Sequence, residues 1–445
     1  MDLGTEKVSV LFRKLFFPTL AGMLSMCAVT AIDGVFVGHG IGAQGIAAVN
    51  ICIPLLMLFT GLGLMAGIGG SVIASVALSK GKIKYARFNV TQSMLFVTAV
   101  MVFFVALIML FPERTAYILG ASDHLMPMVK TYLLWFAPSL IFQMWVSVAL
   151  FVIRLDGAPK LAMWCSVIAA GINTFLGWLF IFPFRWGIMG AAFAATVGLF
   201  VGGMIAVVYL LFYAKTLRFY PVKIGLRGFY LFWNNIISQC RIGSSALLGE
   251  ATMAVLMFAG NHVFMLYLGD DGVGAFGVCC YYAPFVFMVG NAVAQSAQPI
   301  ISYNFGMNNS QRVAESEKTA LLAAVVCGVV VTAVFVLFPE ILVGFFLDPS
   351  TTVAKLAING FPYFAAGFLC FILNLTGIGY FQSVERLKPA VVFALLRGVI
   401  LLSAAFYAMP KLLGTAGIWL SMPVSETVTA LMMGLYYLIN KKRKA

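Results

Sequence analysis

Val325-Val326-Cys327-Gly328-Val329-Val330-Val331-Thr332-Ala333-Val334-Phe335-Val336-Leu337 carries no charge, and Phe338-Pro339-Glu340 closes it. A membrane β-strand alternates apolar and polar residues. This run does not alternate, and a helix apolar on every face belongs in a bilayer or a deep core. The closing triplet stands 227 residues earlier as Phe111-Pro112-Glu113. Gly187-Ile188-Met189-Gly190 returns at the same offset as Gly414-Thr415-Ala416-Gly417, and Gly45-Ile46-Ala47-Ala48 as Gly272-Val273-Gly274-Ala275. Three matches in register across half a chain mark an internal repeat: the chain reads as two copies of one membrane unit.

Composition agrees. Of 445 residues, 62% are hydrophobic and 10% charged, more apolar sequence than a soluble core buries. Runs of about 20 apolar residues predict spans near 15–38, 46–78, 89–111, 128–153, 161–183, 188–213, 242–268, 273–301, 319–338, 354–382, 390–409 and 416–439. The expected fold is therefore an all-α integral membrane protein of twelve transmembrane helices in two six-helix lobes. An even number of spans per copy gives both copies one orientation, so their pseudo-twofold axis is expected along the membrane normal. The expected divisions are 1–213 for the first lobe, 214–241 for a connection and 242–445 for the second lobe.

The net charge of +13 is distributed as a topology signal, which argues against nucleic acid as a partner. Lys7, Arg13 and Lys14 precede the first span, Lys80, Lys82, Lys84 and Arg87 follow the second, and Lys215, Arg218, Lys223, Arg227 and Arg241 follow the sixth. Lys441 to Lys444 end the chain, while the alternate loops hold little beyond Arg114, Lys130, Arg185, Lys355 and Lys411. Basic loops stay cytoplasmic, so both termini are expected there. The beginning of the chain reads as an uncleaved signal-anchor. In the 214–241 stretch, basic residues interleave with Phe219, Tyr220, Phe229, Tyr230, Phe232 and Trp233, as in a segment lying in the membrane interface. The eight cysteines lie in or beside spans and read as small apolar residues.

Buried charge is the most informative chemistry. A carboxylate at membrane depth costs about 2.5–3.5 kcal/mol on insertion scales, so it has a partner or a task. Asp33 lies in the outer part of the first span with no basic residue expected at its depth in the first half, and a carboxyl that exchanges protons across a cycle suits that position. Glu250 lies about eight residues into the seventh span and is not the repeat-mate of Asp33. Arg397 and Glu426, on consecutive spans, read as a structural ion pair. Neutral polar residues, among them Asn50, Gln143, Asn173, Asn291, Gln295, Gln298 and Asn374, should face the interior, where hydrogen bonding between helices accounts for most of them.

Other patterns carry less. His39, His124 and His262 have no metal-ligand spacing, so no metal is expected, and Asp270-Asp271 ends at Gly272 without a diphosphate-binding motif. Gly61, Gly63, Gly67, Gly69 and Gly70 superficially suggest a phosphate loop, but within a span they permit close helix packing.

Two six-helix halves, Pro18 fifteen residues before Asp33, the Asp33 to Gly38 segment, Asn173, the Gly187 to Thr196 run and Gln298-Pro299-Ile300-Ile301-Ser302-Tyr303-Asn304-Phe305-Gly306 together resemble the multidrug and toxic compound extrusion (MATE) family, the last most like its MepA-like branch. The resemblance covers essentially the whole chain. It implies two lobes in a V around a cavity that opens alternately to each side, and cation-coupled export of amphipathic, often cationic compounds. It also implies that Asp33 is the first-helix acid, Pro18 the bending proline, Asn173 and Thr196 polar partners near the same site, and Glu250 a seventh-helix acid. One departure stands out: where many members carry Asp four residues after the fifth-helix Asn, this chain has Gly177. The tenth span also lacks an acid, with Asn374 as its nearest polar substitute.

A sodium ion wants several oxygens, whereas a proton needs one titratable group. One carboxylate with Asn173 and Thr196 therefore favours proton coupling, with Na⁺ as the alternative and no further cofactor. The substrate cavity is expected to draw on Gln143, Asn291, Gln295 and Asn374. The protein is expected to be a non-enzymatic, monomeric drug/cation antiporter of a bacterial inner membrane. A lipid-linked precursor flippase is the alternative within transport; it would favour more spans and a cationic cavity. An intramembrane enzyme is the alternative of another class, but it would need clustered acids, a metal set or a nucleophile with its base, and none is present. A channel suits two lobes with unpaired acids less well than a gated carrier does.

Overall fold

The computed structural model describes residues 2–220 and 226–442, without the side chains of Ala43, 226–229 and 440–442. Of the basic and aromatic residues above, Lys223, Arg443 and Lys444 lie outside the described residues, as do the side chains of Arg227, Phe229, Lys441 and Lys442.

The chain is helical along almost its whole length. In order, α1 spans Val8–Gly40, α2 Ala43–Ser79, α3 Ile83–Leu110, α4 Pro112–Ile118, α5 Met126–Leu155, α6 Pro159–Ile181 and α7 Gly187–Val208, which ends in a π-helical turn Tyr209–Tyr213. The second half has α8 Leu226–Gly306, α9 Ser310–Leu337, α10 Pro339–Gly344, α11 Thr352–Ala365, α12 Phe368–Ser383, α13 Leu387–Leu395, a π-helical turn Leu396–Ile400 and α14 Leu401–Lys442. Among the described residues, nine helices are long and apolar enough to cross a membrane, or ten if α11 and α12, which meet at a 45° bend, form one span. Two of the nine are interrupted: α8 at Gly269 (φ 63°, ψ −156°) and α14 at Gly414 (φ 60°, ψ −136°). These backbone angles belong almost solely to glycine.

The stretch expected to connect the halves, 214–241, is helical from Leu226 onward. Its first residues are held by Asp156 at the end of α5, whose carboxylate accepts from the backbone N–H groups of Lys215, Thr216 and Leu217 at 2.8–2.9 Å. Pro18 lies within α1, which runs through it as one helix despite the hydrogen bond a proline removes.

The repeat recurs in the backbone. Gly42 and Gly269, Gly187 and Gly414, and Gly81 and Asn308 are pairs at the 227-residue offset, and all six have positive φ. Phe111 (φ −128°, ψ 54°) and Phe338 (φ −127°, ψ 42°) break the helix before Pro112 and Pro339, each of which opens a short helix. Proline suits that first helical position, where its missing N–H is no loss. In the first copy Glu113 pairs with Lys130 at 2.6 Å, a hydrogen bond that holds the carboxyl below its usual range.

The chain divides into two compact units, Met1–Leu247 with Ser302–Ser310, and Leu248–Ile301 with Gln311–Ala445. Within the first, α5 packs against α2, α3 and α7, and α6 against α1 and α7. Its core is rich in methionine and aliphatic side chains, with Met94, Val97, Met101, Leu133, Leu140 and Met144 almost fully buried beside Phe59 and Phe136. Within the second, α14 packs against α11 and α12. Here the core is aromatic: Phe335 makes edge contacts with Tyr282, Phe361 and Phe368, and Phe264 stacks on Phe276 and meets Trp419 edge-on. Such ring pairs add about 0.5–1.5 kcal/mol each beyond the area they bury. The copies share backbone signals and fill their interiors with different side chains.

Candidate functional site

α1, α6 and α7 approach closely because glycines line their contacts. A Cβ at Gly198 of α7 would stand 2.6 Å from the Ala169 carbonyl and 2.9 Å from Asn173 Cβ, and one at Gly202 would stand 2.8 Å from Ala169 Cβ. α6 also packs along α1. This brings Asn173 of α6 to Asp33 of α1, and Asn173 Nδ2 donates to Asp33 Oδ2 at 2.7 Å. Asp33 is half-buried and Asn173 buried. Two oxygens of the pair stay open: Asp33 Oδ1 has no hydrogen-bond partner among the described residues, and Asn173 Oδ1 is a buried acceptor without one. An oxygen pair of this kind can receive a proton or contribute to a cation's shell.

Thr196 of α7 does not join this pair. Its hydroxyl lies 2.7 Å from the Trp135 carbonyl and 3.0 Å from that of Ala192, with no hydrogen bond to Asp33. Gly177 borders the acid directly: a Cβ there would lie 3.9 Å from Asp33 Oδ1, 3.6 Å from Phe36 and 4.0 Å from Ala194, ordinary contact distances. Nothing in the sequence pointed to Tyr132 of α5, which is buried in the same unit and stacks on Phe136 at 5.0 Å. A lone tyrosine in an apolar span gives no sequence signal for that placement.

The second unit holds two different arrangements. Arg397 and Glu426, 1% and 2% exposed, pair through Nε at 2.9 Å from Oε1 and 3.2 Å from Oε2. Asn374 Nδ2 donates to Glu426 Oε2 at 2.7 Å and to the Glu426 carbonyl at 2.8 Å, and the guanidinium lies 4.3 Å over the Phe371 ring. Arg397 sits on the π-helical turn, and such turns frequently mark functional sites. Asn374, an expected cavity residue, is thus 1% exposed with its amide nitrogen on Glu426. Glu250 is also buried, but its Oε1 has no hydrogen-bond partner. Its helix touches the π-helical turn where Thr252 meets Gly398: a Cβ on that glycine would lie 1.8 Å from Thr252 Oγ1.

Gln143 is half-buried in the first unit; Asn291 is half-buried and Gln295 buried in the second. His39 bonds the Val35 carbonyl and His124 bonds Gln44, and no group of three metal-ligating side chains exists among the described residues. Gly63 and Gly67 receive Met144, Ser147 and Phe151 of α5, so the glycine run serves helix packing.

Long apolar helices in two units, an acid with a single amide partner, and a second acid buried without one among the described residues mark a polytopic membrane protein with carboxyls in its interior. The MatE family description matches this sequence twice, over residues 18–179 and 246–406, and the chain belongs to that family. It is 24% identical to the multidrug export protein MepA of Staphylococcus saprophyticus over 98% of this chain and 96% of that one. It is also 24% identical to MepA of Staphylococcus aureus, over 96% and 92%. Its fold is similar to an outward-facing multidrug resistance MATE family transporter of the MOP superfamily (TM-score 0.88, 19% identity, 98% and 96% covered). A MOP superfamily transporter from Pyrococcus furiosus, described as having a binding pocket of reversed polarity, is equally similar (TM-score 0.88, 18% identity, 98% and 97% covered).

Proposed function

We propose that this chain is a secondary active multidrug exporter of a bacterial inner membrane, exchanging amphipathic, often cationic compounds for a coupling ion by alternating access. The observation that carries the reading is Asp33, an intramembrane carboxyl bonded to one amide and facing no cation. An acid so placed can be neutral in one half of a cycle and charged in the other, and only such a change of state lets a gradient do work on the protein. Reading the helices interrupted at Gly269 and Gly414 as two passes each, with α11 and α12 as one, gives twelve passes and so both termini on one side; the basic loops support the cytoplasmic side.

We favour H⁺ over Na⁺. Two open oxygens, with the Thr196 hydroxyl turned to Trp135, make a thin shell for a hard cation. Glu250, buried without a partner, supports a second coupling group in the other unit. The flippase alternative draws no support from Arg397, since Glu426 already balances that buried cation. Dye export from cells expressing the protein tests the proposal. Collapse of the proton gradient should abolish export and Na⁺ removal should leave it; the reverse pattern assigns Na⁺, and no export of any cationic dye refutes the reading.

A further inference from the structure

From Leu226 to the break at Gly269, α8 is one continuous helix, yet it belongs to two units: the first as far as Leu247, the second from Leu248. Its beginning is fastened inside the first unit by neutral side chains. Ser93 Oγ donates to Gln239 Oε1 at 2.9 Å, Gln239 Nε2 to Asn89 Oδ1 at 3.2 Å, Asn235 Nδ2 to Gln92 Oε1 at 3.4 Å and Tyr85 OH to Asn235 Oδ1 at 2.8 Å. Gln92 Nε2 also bonds the Phe232 carbonyl. Asn89, Gln92, Ser93 and Gln239 are at most 1% exposed, and Asn235 is 7% exposed. Beside this zipper the backbones of α2 and α8 touch: a Cβ at Gly69 would lie 2.0 Å from the Gln239 carbonyl, and one at Gly243 1.9 Å from the Met65 carbonyl.

The chemistry differs from the permanent interfaces of the same unit. Further along α3, Met94, Val97, Met101 and Val105 join the apolar core, where separation would expose hydrocarbon at about 25 cal/mol per Å². The zipper occupies the first turns of α3, directly after the basic loop of Lys80, Lys82 and Lys84. There a parted amide finds water, and a hydrogen bond exchanged for one to water changes the free energy by only about 0.5–1.5 kcal/mol. The glycine contact adds no interlocking side chain, so this seam can close dry and open wet at small cost. Between Leu248 and Leu268, α8 has neither a proline nor a non-helical residue. With no such hinge there, a displacement of this stretch of α8 is carried along the helix to Asn235 and Gln239 and pulls on the zipper.

We propose that the Asn89–Gln92–Ser93 to Asn235–Gln239 zipper is a releasable latch of the transport cycle. It is closed in this structure and parts when the substrate path opens toward the side of Lys80 to Arg87; Gln239 is its central positioning residue. The proposal rests on the export reading above. The test is a double variant, Ser93→Cys with Gln239→Cys, made in a parent chain whose eight native cysteines, Cys240 beside Gln239 among them, are replaced by alanine, reconstituted in vesicles and joined by a short bifunctional thiol reagent. Dye export should fall by about tenfold or more on cross-linking and return with reductant, while the parent chain and both single variants, treated alike, stay unchanged. Export retained by the cross-linked protein would overturn the latch and make the zipper a permanent fastening. Should the double variant fail to export before cross-linking, or the parent move no dye, Ser93→Cys alone decides. Its labelling by an impermeant maleimide from the basic-loop side should rise several-fold when a proton gradient is imposed, and unchanged labelling overturns the latch.

Discussion

Asp33 binds its surroundings through one hydrogen bond, from Asn173 at 2.7 Å, and this makes the functional prediction separable from a structural one. In Asp33→Asn the new amide keeps an oxygen to accept that bond and the same volume, so expression and thermal stability should stay within about 1 kcal/mol of the parent. Coupled export should be lost; export at the parent rate by a well-expressed variant would remove Asp33 from the mechanism. Gly177→Asp is the complementary gain. Its Cβ meets only ordinary contacts, and its carboxylate would stand beside Asp33 Oδ1, enlarging the oxygen set a hard cation needs. Dye export by this variant should become stimulated by Na⁺, and an unchanged Na⁺ response would show that the missing acid does not decide the ion. At this scale the sequence was legible where charge sits in apolar surroundings, because few residue types carry that cost without a partner or a task. It was silent on Tyr132 and on the direction of the Thr196 hydroxyl, which depend on helix rotation that composition does not encode.

Elements decide how the second unit tolerates its charges. Glu426 faces Arg397 and Asn374, so Glu426→Gln leaves a buried guanidinium without its counter-charge, a defect of about 3–5 kcal/mol. Glu250 has no such partner, and Glu250→Gln removes a charge that nothing balances. Purified variants should separate, Glu426→Gln unfolding at lower temperature and Glu250→Gln keeping stability while losing export; the opposite pattern exchanges the two roles. Helix breaks give a third case. Gly414→Ala forces a Cβ into a conformation that costs on the order of 1–3 kcal/mol, although its surroundings are open. A lowered melting temperature in detergent is expected, and an unchanged one would show that the break relaxes into a helical bend. Most helix ends lie within a few residues of the apolar runs read from hydropathy, while among the described residues nine, or ten, helices of membrane length stand where twelve spans were expected. The helical run through 226–241 was not legible, because basic residues among aromatics read alike as an interfacial segment or a helix start.

Across the whole molecule, repeated loop signals coexist with unrepeated chemistry. Positive φ recurs at three residue pairs 227 positions apart, yet Asp33 and Glu250 have no counterparts at that offset, and methionine and aliphatic side chains that fill much of one core give way to more rings in the other. Turns tolerate few residue types, so a duplicated backbone keeps its glycines and prolines visible in sequence. Core and charge positions are freer, so the two copies carry different buried groups. The most direct test of this account is dye transport in proteoliposomes under an imposed pH gradient without Na⁺, comparing the parent chain with Asp33→Asn. Uphill dye movement that depends on the gradient and vanishes in the variant is expected; equal transport by both proteins, or transport indifferent to the gradient, would remove Asp33 and the proton from the coupling step.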